Sequence, residues 1–303
     1  MSADAPITLC LGEALIDLIG EQPVSSMQEV ERFVPHSGGV VANVAVVAAR
    51  AGARVGLAGC AGDDQWGRWL RESLESEGVE TSRFALSDAV QTQLAFVGID
   101  SEGEPTYELY GERQEIVVPE IDEAVRTSAA LFFSSNTLPG RQERELTMRA
   151  RELALNRTPP APVIFDCNLR LHRWSSRADA AASANACVPG ALLVRASQSE
   201  AELMTGERDP ERAAMALRKA GATMVVIGLG ADGAILRGPV PADAGPAPAP
   251  AQVLSTVGAG DALTGTLLAR LALSGFYPPA AAAGLGDAVT AAARACERWG
   301  ALD

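Results

Sequence analysis

The sequence predicts an α/β fold: a mostly parallel central sheet covered by helices on both faces, a three-layer sandwich, with a small β-sheet lid. Three observations predict it. Short apolar runs alternate with helical stretches rich in Ala, Arg and Glu, the pattern of repeated β-α-β units. From Thr92 to Val118 that pattern gives way to strands of alternating character. The chain has 303 residues, 48% of them hydrophobic, enough for one large core in a single domain spanning 1–303.

The elements follow in order. ITLCLGEALIDLI reads as a strand, a turn and a second short strand, VANVAVVAARAG as a buried helix closed by Gly52, and RVGLAGCAG as a short apolar strand. WGRWLRESLESEG is an amphipathic helix with Trp66, Leu70 and Leu74 on one face and Gly78 at its end. TQLAFVGID and PTYELYG, joined by DSEGEP, read as an antiparallel hairpin. With the segment around Val24–Val34 it forms the expected lid, inserted from about 13–36 and 90–118. ALFFSS, PVIFDCN, ALLVRAS, MVVIGLG and GAILRG are the later strands, with helices between the first four. The Pro/Ala-rich stretch 239–252 reads as a surface loop, and no internal repeat is visible.

Composition removes several function classes. The formal net charge is −13, with no basic run, so nucleic acid is not an expected partner. No apolar run reaches the ~18 residues of a membrane helix. The N-terminus has acids and no basic region, so it does not read as a signal peptide. The five cysteines form no C-x-x-C pair, which fits a reducing cytoplasm and neither a zinc site nor a disulfide framework. H-E-x-x-H and G-x-S-x-G are absent.

Two motifs mislead. GLGADG, Gly228–Gly233, has the dinucleotide spacing but leads into a strand-like AILRGP, so a tight strand-to-strand turn is the better reading. Gly260 and Gly265 have P-loop spacing, but Thr266 stands where that loop needs Lys.

STVGAGDALTGTLLARLA, from Ser255 to Ala272, carries the chemistry. Asp261 has two readings. It caps a helix on which Leu263, Leu267 and Leu271 recur, or it meets a ligand. Gly258, Ala259 and Gly260 are small enough for backbone amides to approach an anion, and a helix N-terminus favours negative charge. An ionised Asp there repels a phosphate but accepts a proton from a hydroxyl. The pair makes sense for phosphoryl transfer to an alcohol, with Asp261 taking the proton late. Gly265 inside the helix predicts close packing.

With these residues in place, the sequence resembles the ribokinase-like (phosphofructokinase-B) family of sugar kinases along nearly its whole length. GEALID resembles the family's first strand, whose closing acid, here Asp17, binds sugar hydroxyls. SGGVVAN resembles its di-glycine substrate loop, giving Gly38, Gly39 and Asn43. AGDDQWGRWL resembles the element that follows. FDCNLRLHRW resembles a fructokinase stretch and points to Asn168 and Arg170. SQSE resembles the family's N-x-x-E motif; the resemblance implies Ser197 near the phosphates and Glu200 near magnesium through water. GLGADGA resembles the nucleotide-binding turn, implying Gly228, Gly230 and Gly233. GAGDA resembles the most specific motif, with Asp261 as catalytic base and Gly258, Ala259 and Gly260 as anion hole.

The resemblance thus implies an ATP- and Mg2+-dependent sugar kinase, fructokinase-like, with homodimer formation through the lid. A 2-keto-3-deoxygluconate kinase, a nucleoside kinase and a sugar or nucleotide sensor are the alternatives. Several positions depart from the pattern: Val40, Val41, Cys167, Gly228, Val257 and Leu263. Ser255 stands where the family has an Asp that helps hold a monovalent cation, so that cation stays open.

Overall fold

The computed structural model describes residues 6–110, 118, 120–250 and 252–302. In chain order come β1 (Thr8–Leu11), β2 (Leu15–Pro23), β3 (Val34–Gly38), α1 (Val40–Arg50), β4 (Val55–Gly62), α2 (Gln65–Ser76) and β5 (Glu80–Ser87). Next are β6 (Leu94–Ile99), β7 (Pro105–Tyr110), α3 (Ile121–Thr127), β8 (Ala130–Ser134), α4 (Arg141–Asn156), β9 (Val163–Asp166) and α5 (Arg177–Asn185). The remainder is β10 (Leu193–Ser197), α6 (Gln198–Thr205), α7 (Pro210–Lys219), β11 (Met224–Gly228), β12 (Ala234–Arg237), β13 (Ala242–Ala244), α8 (Ala259–Leu273), α9 (Pro278–Ala283) and α10 (Leu285–Ala295).

The large sheet runs β13-β12-β11-β10-β9-β8-β1-β4-β5. It is parallel from β11 to β5, and the β11–β12–β13 edge is antiparallel. Alternate strand residues enter two separate cores, one on each face. Cys10, Phe132, Ile164 and Val226 pack under α1, α8 and α10. Leu9, Leu11, Phe133, Phe165 and Val225 pack under α3 to α7. Burial on both faces is why these strands are near-continuous apolar runs.

The second sheet is β3-β2-β6-β7, with β2 and β6 parallel and the outer pairs antiparallel. The hairpin is as expected, but the strand that pairs with it is β2, and the strand that follows on the far side of β2 is Val34–Gly38. The polar segment before it holds only a short turn at Met27–Glu29. Residues 111–117 of the expected lid lie outside the described residues. Leu15, Ala95, Tyr107 and Leu109 line the cleft below the lid. Phe96 makes edge-to-face contacts with Phe33 and with Tyr110, and Tyr110 is exposed.

Three readings need correction. Glu80–Ser87 is a strand the pattern missed, because this sheet edge alternates exposed and half-buried residues around one buried Phe84. Trp66 is exposed: α2 buries Gly67, Leu70 and Leu74, and Trp66 packs edge-on with Trp69 at its rim. Within the Pro/Ala-rich stretch, Ala242–Ala244 forms a short strand pairing with β12; Ala251 lies outside the described residues.

The packing expected at Gly265 is present. A Cβ there would lie 2.6 Å from Val47 Cβ and 2.9 Å from the carbonyl oxygen of Val44, on the facing side of α1. Helix propensity alone favours Gly265→Ala by about 1 kcal/mol. Overpacking against backbone opposes it by about 1–3 kcal/mol. Net destabilisation is the expected result in urea unfolding; a stabilised variant would refute the contact.

Candidate active site

The chain places its polar side chains where the strand order reverses. β1 leads to β4 on one side of itself, while β8 continues the sheet on the other. Such a switch leaves a crevice at the carboxyl ends of the strands. A cleft of about 320 Å³ lies there, roofed by the lid.

One end of the cleft is rich in hydrogen-bonding groups. Asp17, near the start of β2, is buried beside His36 in the paired strand. A Cβ on Gly38 would run into the Asp17 carboxylate, and one on Gly39 would lie 2.7 Å from the carbonyl oxygen of Glu13. Gly39 also has φ +99°, a conformation other residues rarely adopt, and opens α1. The di-glycine is therefore a steric requirement of the turn from lid to helix. Glu13 closes this wall: its Oε1 accepts from the amide of Val40 and from Nδ2 of Asn136, each at 3.0 Å. Its Oε2 is buried with no partner among the described residues. Arg173 Nη1 donates to Oδ1 of Asn136 at 3.3 Å. The Arg170 guanidinium sits 4.8 Å from the centre of the Tyr107 ring. Asn168, at φ +30°, and Arg170 both line the cleft.

The other end is the start of α8. Gly258, at φ +78°, is the residue before the helix, so Asp261 is not its cap; no capping side chain is present. Instead Nδ2 of Asn43 donates to Oδ2 of Asp261 at 2.8 Å, joining α1 to α8. Burial, first of all, raises the Asp261 carboxyl to about 6, opposed by the Asn43 hydrogen bond. Burial likewise raises Asp17 to about 7, opposed by Arg170 and reinforced by Asp261. Asp261 is thus closer to neutral pH in its titration than a surface Asp. The amide of Ala259 turns back to the Thr256 carbonyl at 3.3 Å. Those of Gly258, Gly260 and Asp261 have no hydrogen-bond partner among the described residues. The open amides are therefore these three rather than the expected Gly258–Gly260 run. Ser255, fully buried, holds the loop before them by accepting from the Val257 amide at 3.0 Å. Val257 packs with Leu15, Ile19 and Ala301 beneath the lid.

Ser197 and Glu200 form a reciprocal capping box at α6. Both carboxylate oxygens of Glu200 are engaged: Oε1 accepts from the Leu169 amide at 2.5 Å, and Oε2 from the Ser197 amide at 2.7 Å. Among the described residues no group of three His, Cys, Asp or Glu side chains is placed to hold a metal. This donor set fits an ion carried in on phosphates and reached from Glu200 through water, not a protein-built cage. GLGADG is the strand-to-strand turn expected, between antiparallel β11 and β12. Gly228 pairs with Ser197 across β10–β11. Gly228, Gly230, Gly233, Gly38 and Ala259 stand outside the cleft lining, whereas Asp17, Gly39, Asn43, Asn168, Arg170, Ser197, Glu200, Gly258, Gly260 and Asp261 line it.

The motif reading passed over Glu13, Tyr107, Asn136, Asp166 and Arg195. Glu13 and Asp166 carried a legible signal, an acid at the end of an apolar strand. Tyr107 and Asn136 carried none, because only lid pairing and strand order bring them to the cleft. No described helix is long and apolar enough to cross a membrane.

Comparison with known proteins fits this geometry. The description "pfkB family carbohydrate kinase" matches residues 8–301. Fructokinase-1 of Oryza sativa subsp. japonica is 29% identical over 281 residues, 89% of this chain and 84% of that protein. Aminoimidazole riboside kinase of Salmonella typhimurium is 31% identical over 264 residues, 86% and 79% of the two chains. Among solved structures, a double mutant of Vibrio cholerae O395 fructokinase, bound to fructose, ADP and potassium, superposes with TM-score 0.84. It shares 25% identity and covers 100% of this chain and 96% of that one.

Proposed function

The chain belongs to the pfkB family of carbohydrate kinases and is a sugar-directed phosphotransferase, and from that premise we propose that it phosphorylates fructose with ATP. The observation that carries the reading is the buried Asn43–Asp261 contact beside the open amides of α8. A carboxylate and an anion-stabilising set meet there, facing a cleft end made for hydroxyls.

The steps follow from these groups. Asp17, Asn43 and Gly39 hold the sugar, with Gly38 leaving room for the Asp17 carboxylate and Asn168 and Arg170 at the sugar's flank. Asp261 orients the acceptor hydroxyl. The hydroxyl oxygen forms its bond to the γ-phosphorus as the bond to the β-phosphate oxygen breaks, and the hydroxyl proton passes to Asp261. The amides of Gly258, Gly260 and Asp261 stabilise charge on the transferring group. Glu200, through water, would help hold magnesium, which supplies charge neutralisation on the phosphates. Ser197 and the Gly228–Gly233 turn serve the nucleotide side. The lid excludes water from the transfer. Pairing of two chains through the outer lid face belongs to the same reading.

Fructose ranks above a nucleoside because Tyr107 is the one Phe, Tyr or Trp ring among the cleft-lining residues, and Arg170 already covers it. It ranks above 2-keto-3-deoxygluconate because Arg170 faces the charge of Asp17 and Asp261, which weakens its pull on a substrate carboxylate. A coupled ADP-release assay with fructose, 2-keto-3-deoxygluconate, aminoimidazole riboside and adenosine is the test. Fructose should give the highest kcat/KM. A higher value for another acceptor replaces fructose, and no ADP release with any of them overturns the reading.

A further inference from the structure

Behind the reaction centre lies an ion pair that the steps above do not use. Arg195 on β10 donates from Nη1 to Oδ1 of Asp166 at 3.2 Å. Thr264 Oγ1 on α8 donates to the other oxygen of Asp166 at 2.5 Å. Asp166 is 0% exposed and the Arg195 side chain 11%. Asp166 is the one hydrogen-bond partner of the Arg195 guanidinium among the described residues, and Arg195 Nε is buried without any.

The rest of the guanidinium faces the glycines. A Cβ on Gly260 would lie 2.7 Å from Nη2 and 3.1 Å from Cζ, and one on Gly228 would lie 3.7 Å from Nη2. The group therefore spans the space between the first turn of α8 and the end of β11, and it lines the cleft. Arg170 and Arg173, the other cleft arginines, are engaged at the hydroxyl-binding end by Tyr107 and Asn136. The charges that face Arg195 are Asp166, Glu200 and Asp261. Without it, the end that receives the phosphates would offer three carboxylates to an anion.

A buried ion pair is weak evidence for stability, since an apolar pair of the same size is often as good. A guanidinium with one edge tethered and the other open to a cleft is suited to a phosphate. We propose that Arg195 is a catalytic residue that donates from Nη2 to an oxygen of the bound nucleotide's polyphosphate, held in orientation by Asp166 and Thr264. The proposal rests on the phosphotransferase reading and adds to it a fixed cation. Such a charge is in place before transfer begins and needs no reorganisation during it.

The test uses Arg195→Met, Arg195→Lys and the double variant Arg195→Met/Asp166→Asn, which removes both charges of the ion pair. Calorimetry with adenosine, AMP, ADP and ATP measures the gain in affinity per phosphate. In the parent, affinity should rise from AMP to ATP. In Arg195→Met and in the double variant most of that rise should vanish, with adenosine binding unchanged. Loss of one preorganised donor lowers kcat by about 10²–10³-fold, and Arg195→Lys should recover part of it. If Arg195→Met does not fold, the double variant and Arg195→Lys carry the decision. A merely structural ion pair predicts parent-like ATP affinity and turnover in the double variant; that result overturns the proposal, as does a parent with no affinity gain from AMP to ATP. A parent that binds ATP more tightly than AMP but phosphorylates no sugar removes the proposed function, while the calorimetric series still decides Arg195.

Discussion

Asp261→Asn is expected to lower kcat by about 10²–10⁴-fold, the range for loss of a general base, with the fold intact. The substitution keeps the shape of a buried side chain. Its amide oxygen can still accept from Asn43, which holds the carboxylate at 2.8 Å. What it loses is the capacity to take the hydroxyl proton. The pH dependence of the parent has a definite sign. The carboxyl is raised to about 6, and only its ionised form is a base. Parent kcat/KM should therefore fall as pH drops through about 6, and the residual rate of the variant should not follow that limb. ADP release across pH 5–9, with circular dichroism melts, checks both. Near-normal turnover in a folded Asp261→Asn protein would refute the mechanism.

Asp17→Asn is expected to move binding and stability in opposite directions. A hydrogen bond to a charged group contributes about 1.5–3 kcal/mol. Loss of the charge from an acid holding two sugar hydroxyls should thus cost up to about 10²–10⁴-fold in sugar kcat/KM, expressed mainly in KM, with little change in ATP affinity. Stability follows from linkage. Asp17 is raised from 3.8 to about 7, chiefly by burial. Below the unfolded value both states carry the proton and the group contributes nothing. As pH rises from about 4 to about 7, the native state keeps a proton that the unfolded state has lost, so the native state loses stability. Asn carries no such cost. The sugar-free variant should melt higher than the parent at pH 8, and the difference should shrink toward pH 4. Equal sugar KM in the two proteins would remove Asp17 from the binding site; a lower melting temperature at pH 8 would refute the linkage argument.

Legibility in the sequence followed burial. Strands buried on both faces, such as Phe132 with Phe133 and Val225 with Val226, leave apolar runs that are readable without partners. The edge strand Glu80–Ser87 escaped because one strongly buried residue makes no period. Trp66 misled for a related reason: an aromatic at helical spacing can lie on the rim of an apolar stripe as easily as on it. At the site, the glycine-bounded motifs were legible because backbone approach demands small residues in consecutive positions. Arg195 was not, since a lone Arg inside an apolar strand does not reveal which glycine it will lie beneath.

The sequence alone determined the alternation of elements, the lid hairpin and the stretch that opens α8, because periodicity and steric demands act between neighbours along the chain. Tertiary structure decided the rest. It set Asn43 against Asp261 across 218 positions of sequence, withdrew Ala259 from the open amides, tied off both oxygens of Glu200, and placed Arg195 under Gly260. Each of these depends on which distant segments the sheet order brings together. The protonation of Asp17 and Asp261 depends on it too, because burial is the largest cause of both shifts, and burial is a property of the assembled fold.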